Sequence, residues 1–221
     1  MKRLILIFIV TLFLDSAYTQ GSITFSDKNF IIQEEKDLSI QNWIQTDSSY
    51  WQLNPQEKDV IYWINYVRKQ PQQFYSNVLV PFLEQFPEIK SPYTKSLKSE
   101  LLSGYSRPML KSSYKLNKVA ASHAQDLGSS GINISHSSSS GQSFQQRMTN
   151  AGLLDCISEN IYEGRQDALI AIIFLLIDQG VKNVGHRKNM LDPDMKFIGV
   201  SFSPIKKNPS HAFMVQDFSC E

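Results

Sequence analysis

Phe197-Ile198-Gly199-Val200-Ser201-Phe202 is followed, after Lys206-Lys207-Asn208-Pro209, by His211-Ala212-Phe213-Met214-Val215. Two short runs rich in β-branched and aromatic residues, parted by a polar turn that contains proline, read as an antiparallel hairpin. A hairpin, rather than strands alternating with crossover helices, directs the fold away from a parallel α/β sheet. Upstream, residues 158–164 read as another extended segment. Ala168–Ile177 is apolar on every side and bracketed by Asp167 and Asp178. Its length, and Gly180 just beyond, favour a buried helix over a buried strand.

The remaining elements are helical. Asn54 can cap a helix, Pro55 suits its first position and Glu57 falls three residues after the cap. Val60, Ile61, Ile64 and Val67 then recur at helical spacing. Pro71 interrupts, and Phe74, Val78 and Leu79 suggest a second short helix. Residues 87–112, rich in Ser, Lys and Pro, read as a long surface loop. Leu116, Val119, Ala120, His123, Ala124 and Leu127 share one stripe, with Gly128 as its stop. His123 on that stripe reads as a core histidine. Residues 129–141 form a Ser/Gly-rich loop that carries His136, and residues 144–151 a short helix ended by Gly152. The class is therefore α+β, with helices on a mostly antiparallel sheet.

Composition narrows what such a fold can be for. The chain has 221 residues, enough for one domain with a real core. The formal net charge of +1 argues against a nucleic-acid binder held by a basic face. A hydrophobic content of 42%, with 13 Phe and 9 Tyr, excludes a mostly disordered chain. The 2 cysteines exclude a disulfide-dense scaffold and a four-cysteine zinc site.

Lys2 and Arg3 precede an apolar run over residues 4–14, and Asp15-Ser16-Ala17-Tyr18-Thr19 then turns small and polar. Residues 1–19 read as a secretory signal peptide with its exit near Ala17-Tyr18-Thr19, an uncleaved anchor being the alternative. The run is shorter than the ~20 residues needed to span a bilayer, so no transmembrane segment is expected once it is removed. Its removal leaves 20 basic and 20 acidic residues. In an oxidising compartment Cys156 and Cys220 are expected to pair, two buried thiols being the alternative. Residues 20–54 read as an N-terminal leader and residues 55–221 as the domain.

No G-x-S-x-G elbow, H-E-x-x-H helix or Walker loop is present. The candidates for chemistry are histidines and carboxylates. Each has an ordinary local reading. His136 could be a solvated loop residue, Glu159 an exposed strand charge, His186 a cap or packing residue, and Asp178 a solvated helix end. A carboxylate at a helix C-terminus opposes the dipole, which asks for a reason. Asn133-Ile134-Ser135 fits the N-glycosylation pattern. Spacing alone assembles no site.

Taken in order, several short segments resemble the CAP superfamily, the secreted domain of cysteine-rich secretory proteins, venom antigens and plant pathogenesis-related proteins. They are Ile61-Tyr62-Trp63-Ile64-Asn65-Tyr66-Val67-Arg68, the segment from Leu116 to Leu127 with Ser122-His123-Ala124, then Ser135-His136-Ser137, Glu159-Asn160-Ile161, Gly185-His186-Arg187-Lys188-Asn189-Met190-Leu191 and Phe197-Ile198-Gly199-Val200. The His-Arg-Lys-Asn segment is closer to the bacterial and protist-like branch. The resemblance implies a three-layer α-β-α sandwich with a central cleft. It also implies that His136, Glu159, Asp178 and His186 meet there, a set that in some relatives binds Zn2+ or another divalent metal. Asp178 stands where the family usually has a longer Glu.

Three functions follow as expectations. The first is a secreted binding protein whose cleft takes a divalent metal, lipid or peptide, with an extracellular protein, lipid or sterol as partner and no nucleic acid. The second is a hydrolase, a protease or esterase, working through a metal-bound water or through Glu159 as base; no catalytic residue is assigned. In the third, the four polar residues form a structural hydrogen-bonded cluster.

Overall fold

A computed structural model describes residues 29–32, 35–131 and 133–221. The expected signal peptide at residues 1–19 lies outside them. In chain order the elements are α1 (Leu38–Ile44), a 3₁₀ turn (Ser48–Gln52), α2 (Pro55–Lys69), α3 (Pro71–Phe74), a π turn (Tyr75–Leu79), α4 (Val80–Gln85), a 3₁₀ turn (Pro87–Ile89), α5 (Pro92–Leu102), β1 (Lys111–Ser112), α6 (Tyr114–Ser130), α7 (Phe144–Asn150), β2 (Ile157–Gly164), α8 (Ala168–Ile177), α9 (Gly185–Leu191), β3 (Phe197–Ile205) and β4 (Asn208–Ser219).

The strands form one sheet in the order β1-β3-β4-β2. The two long pairings are antiparallel, and only the two-residue β1 runs parallel to β3. The sheet is therefore mixed at one edge and antiparallel elsewhere. Alternation along the strands assigns its faces. Ile198, Val200, Met214 and Phe218 join α2 and α8 in the main core. Ile161, Phe213 and Val215 join Ala120, Ala124 and Leu127 of α6 on the opposite face. The result is an α-β-α sandwich.

Several helix starts follow the chemistry read from sequence. Asn54 and Glu57 form a reciprocal capping box at the head of α2, each bond 3.0 Å. The other oxygen of Glu57 accepts from the Ser201 hydroxyl at 3.0 Å and the Phe202 amide at 3.2 Å, so the cap also ties α2 to β3. At the far end of α2, the Asn65 amide exchanges two hydrogen bonds with the Leu110 backbone. Arg68 is fully buried, and its guanidinium donates to the carbonyls of Pro108, Met190, Asp192 and Met195. Burial, with the Arg107 charge nearby, brings its pKa down to about 10.

Three expectations are corrected. Residues 87–112 are not one loop: Ser91 and Pro92 start α5, whose Leu97 and Leu101, four apart, are buried. Composition masked this helix because only Leu97 and Leu101 are buried apolar residues on it, with the small polar Thr94 beside them. Gly128 does not stop α6, which ends instead at Gly131 with φ 66°. Gly128 is there for clearance, since a Cβ would stand 2.5 Å from the Pro204 carbonyl oxygen. Asn208 and Pro209 belong to β4, leaving Lys206 and Lys207 as the turn. The described part of residues 29–54 packs on the domain through Phe30, Ile40, Ile44, Tyr50 and Leu53.

The disulfide expected between Cys156 and Cys220 is present and joins the start of β2 to the end of β4 across a sequence separation of 64. Loop closure of that length stabilises by about 4 kcal/mol on chain-entropy grounds.

The other end of α6 makes a matching close approach. A Cβ on Gly199 of β3 would stand 2.1 Å from the Leu116 carbonyl carbon and 2.4 Å from the Asn117 nitrogen. Gly199→Ala is therefore expected to lower stability by about 3 kcal/mol, since neither backbone can yield. Urea unfolding checks this, and a loss below 1 kcal/mol contradicts it.

Candidate functional site

The site begins with a cross-strand row. Glu159 of β2 lies opposite Asp217 of β4, which in turn lies opposite Gly199 of β3. Alternation turns the two carboxyls toward α6, beside Ile161 and Val215. Both are buried, Asp217 completely. A buried carboxylate is costly unless it is paired and hydrogen-bonded, and Glu159 is both. One oxygen accepts from Nδ1 of His136 at 2.8 Å, the other from the guanidinium of Arg147 at 2.5 Å.

Arg147 is held on α7, next to the buried Met148, so that it points inward. Its second terminal nitrogen donates to the His136 carbonyl at 2.9 Å and reaches the Ser138 hydroxyl and the Gln142 carbonyl at 3.4 Å. One side chain thus fastens α7, the Ser/Gly loop and β2. Asp126 of α6 adds a clamp, accepting from the Ser139 amide and hydroxyl. The serine run is tied down from two sides. His136 itself is the exposed member, with 56% of its side chain open to solvent. Because a carboxylate takes Nδ1, Nε2 is the ring nitrogen turned away from Glu159.

Asp217 is different. Among the described residues no N–H or O–H donor reaches either of its oxygens, and Glu159 is its neighbour. Burial first, then the Glu159 charge, push its pKa well above the ordinary carboxylate range, with Arg147 opposing. A proton held by Asp217 turns the contact into a hydrogen bond donated to Glu159. His123 of α6 is buried, as its place on the apolar stripe predicts. Its Nε2 meets the Ser135 carbonyl at 2.9 Å, and burial pushes its pKa down.

A second pair stands at the junction of α8 and α9. Asp178 closes α8 in the left-handed conformation, φ 56°. One of its oxygens accepts from His186 Nδ1 at 2.7 Å, the other from the His186 amide at 2.9 Å. The acidic residue at a helix C-terminus has its reason here: it caps the first turn of the next helix and orients its histidine. Arg187 then donates to the Leu176 and Ile177 carbonyls, closing the end of α8. Asn160 and Asn189 join the two pairs. Asn160 donates to the His186 carbonyl at 3.2 Å and the Gln216 side chain at 3.1 Å, while Asn189 donates to Asn160 at 2.8 Å.

The structure places the four expected residues in two separate acid–histidine pairs, His136–Glu159 and Asp178–His186. As a metal set they fit poorly. All four carboxylate oxygens accept protein donors at 2.5–2.9 Å. Among the described residues no group of three or more His, Cys, Asp or Glu is placed to hold a metal ion. The sequence reading missed Arg147 and Asp217. For Asp217 a signal existed, since extending the strand by two residues puts its charge on the same face as Phe213 and Val215.

The order of these segments, with the sandwich that carries them, coincides with the cysteine-rich secretory protein family, CAP, whose profile matches residues 62–218. The chain belongs to the CAP family. No curated protein sequence matches it significantly. Solved structures similar to this CAP chain include an extracellular SCP-domain protein of Bacillus anthracis, 23% identical with a TM-score of 0.40 over 51% of this chain and 34% of that one. An outer surface protein of Borrelia burgdorferi is 19% identical, TM-score 0.43, covering 57% of this chain and 86% of its own. NaASP2, solved with Zn2+, is 11% identical, TM-score 0.43, over 75% and 80%. The chain therefore spans about a third of the length of the Bacillus protein.

Asp217→Asn tests the shared proton. A carboxyl whose pKa is raised on folding binds its proton in the native state, so stability falls as pH rises from the ordinary carboxylate range toward the raised value. The amide imitates the protonated acid and escapes that fall. Urea unfolding is expected to find the variant at least as stable as the parent at pH 7.5, its relative advantage shrinking toward pH 4. A variant less stable by more than 1 kcal/mol at pH 7.5 excludes the protonated carboxyl.

Proposed function

We propose that this CAP domain is an extracellular recognition protein, and that its paired histidines and acids frame the cleft rather than ligate a metal. Family membership, the Cys156–Cys220 disulfide and the basic-then-apolar sequence at residues 2–14 support export. No described helix is long and apolar enough to cross a membrane. Asn133 is exposed on its loop, so its sequon is accessible to a glycosylating enzyme.

The observation that carries the framing role is that every oxygen of both carboxylates already accepts a protein donor. Glu159 binds two protein donors at once, and so does Asp178. A cation drawn to either would compete with a buried hydrogen bond, to Arg147 in one case and to a helix amide in the other. Losing such a bond costs about 1–3 kcal/mol for the donor left unsatisfied, more where it is charged. The same bonds tie α7 to β2 and α8 to α9, and leave His136 exposed to solvent. Recognition needs that rigidity and no nucleophile.

Calorimetric zinc titration of the secreted chain, beside His186→Ala, tests this. The expected result is no saturable binding at micromolar zinc by either protein, with His186→Ala melting several degrees lower. One-to-one binding that the variant loses makes the cleft a metal site and overturns the proposal.

A further inference from the structure

Beside the cluster, but on the outer side of Arg147, a groove of about 370 Å³ runs between α6 and α7. Tyr114, Lys115, Lys118 and Ser122 line one side of it, and Gln142, Arg147 and Asn150 stand on the other. The spacing explains the wall. Positions 115, 118 and 122 fall on one face of α6, as 147 and 150 do on α7. The lining has three cationic side chains and no carboxylate. In a chain whose charges otherwise balance, that is a local concentration of positive charge.

The three cations do different things. Glu159 neutralises Arg147, so the net charge of the groove comes from Lys115 and Lys118. Arg147 contributes direction instead. It is only 6% exposed and fixed by bonds from both terminal nitrogens, and among the described residues its buried Nε has no partner. Ser122, Gln142 and Asn150 add neutral hydrogen-bonding groups. The Tyr114 ring is about half exposed and packs under Lys118, whose Nζ is 4.5 Å from its centroid. That offers an apolar platform at one end.

We propose that this groove binds a sulfate or phosphate monoester carried on a sugar. Lys115 and Lys118 would neutralise the tetrahedral oxyanion, the amides and Ser122 would meet its oxygens and the sugar hydroxyls, and Tyr114 would stack against a ring face. The proposal goes beyond the framing role of the acid–histidine pairs and needs neither histidine.

The test uses the secreted chain and Lys115→Ala/Lys118→Ala, which leaves Arg147 and its partners in place. The probes are a sulfated disaccharide, its desulfated form and vesicles containing 5% phosphatidylinositol 4-phosphate. Amide NMR titration is expected to show saturable one-site binding of the sulfated disaccharide, with shifts confined to residues 114–122 and 142–151. Affinity should fall with added salt, drop at least tenfold in the double variant and vanish with the desulfated sugar, while the melting temperature stays within 2 °C of the parent. Absence of saturable binding overturns the proposal. So does equal binding by the double variant, or of the desulfated sugar. Capture by vesicles without binding of the soluble ester assigns the groove to a lipid headgroup and overturns it as well. None of these readouts depends on zinc, so failure here leaves the framing role untouched.

Discussion

The junction of α6, α7 and β2 is organised around one buried carboxylate. Glu159 sits on an edge strand facing α6, where an unpaired charge would be strongly destabilising. It is tolerated because Arg147 arrives from α7 and His136 from the preceding loop, each taking one oxygen. Those partners can arrive only if the loop folds back, and Arg147 secures that by holding the loop's own carbonyls. The carboxylate, the loop and α7 are therefore mutually dependent. Removing any one weakens the hold on the other two.

The sheet makes this junction possible through what it lacks. Gly199 completes the row that begins with Glu159 and Asp217, and its missing side chain lets the backbone of α6 settle onto β3. Gly128 repeats the device near the other end of the helix. With α6 seated this closely, its apolar stripe packs on either side of the carboxyl row: Ala120, Ala124 and Leu127 meet Ile161, Phe213 and Val215, while Leu116 and Val119 pack with Ile157 and Phe197. The opposite face is neutral at the same level: Asn160 and Gln216 bond across it and hand the contact to α9. One strand, β2, thus carries a charged junction on one face and an amide junction on the other, and the Asp178–His186 pair is anchored through the second.

Much of the fold was legible because its signals are local. The Asn54–Glu57 capping box, the apolar stripe of α6, the flanking of α8 by Asp167 and Asp178, and the C-terminal hairpin all declare themselves within a few residues. What stayed hidden depends on tertiary contacts. Helix α5 buries only Thr94, Leu97 and Leu101, so its composition reads as solvent. Gly128 looks like a helix stop because its purpose, clearance for Pro204, lies some 76 residues away in sequence. The site residues His136, Glu159, Asp178 and His186 were nameable from short motifs, but their pairing was not. No local pattern says that Asp178 spends both oxygens on His186, or that Arg147 reaches Glu159. Both pairings are set by backbone placement.

The central claim is that Arg147 and Glu159 are energetically one unit. A double-mutant cycle in urea unfolding, with Arg147→Met, Glu159→Met and the combined variant, measures this most directly. Each single change strands a buried charge, whereas the double change removes both. The account predicts a loss of about 3–5 kcal/mol for each single variant and a double variant less damaged than their sum by at least about 2 kcal/mol. Additivity within about 0.5 kcal/mol would contradict it.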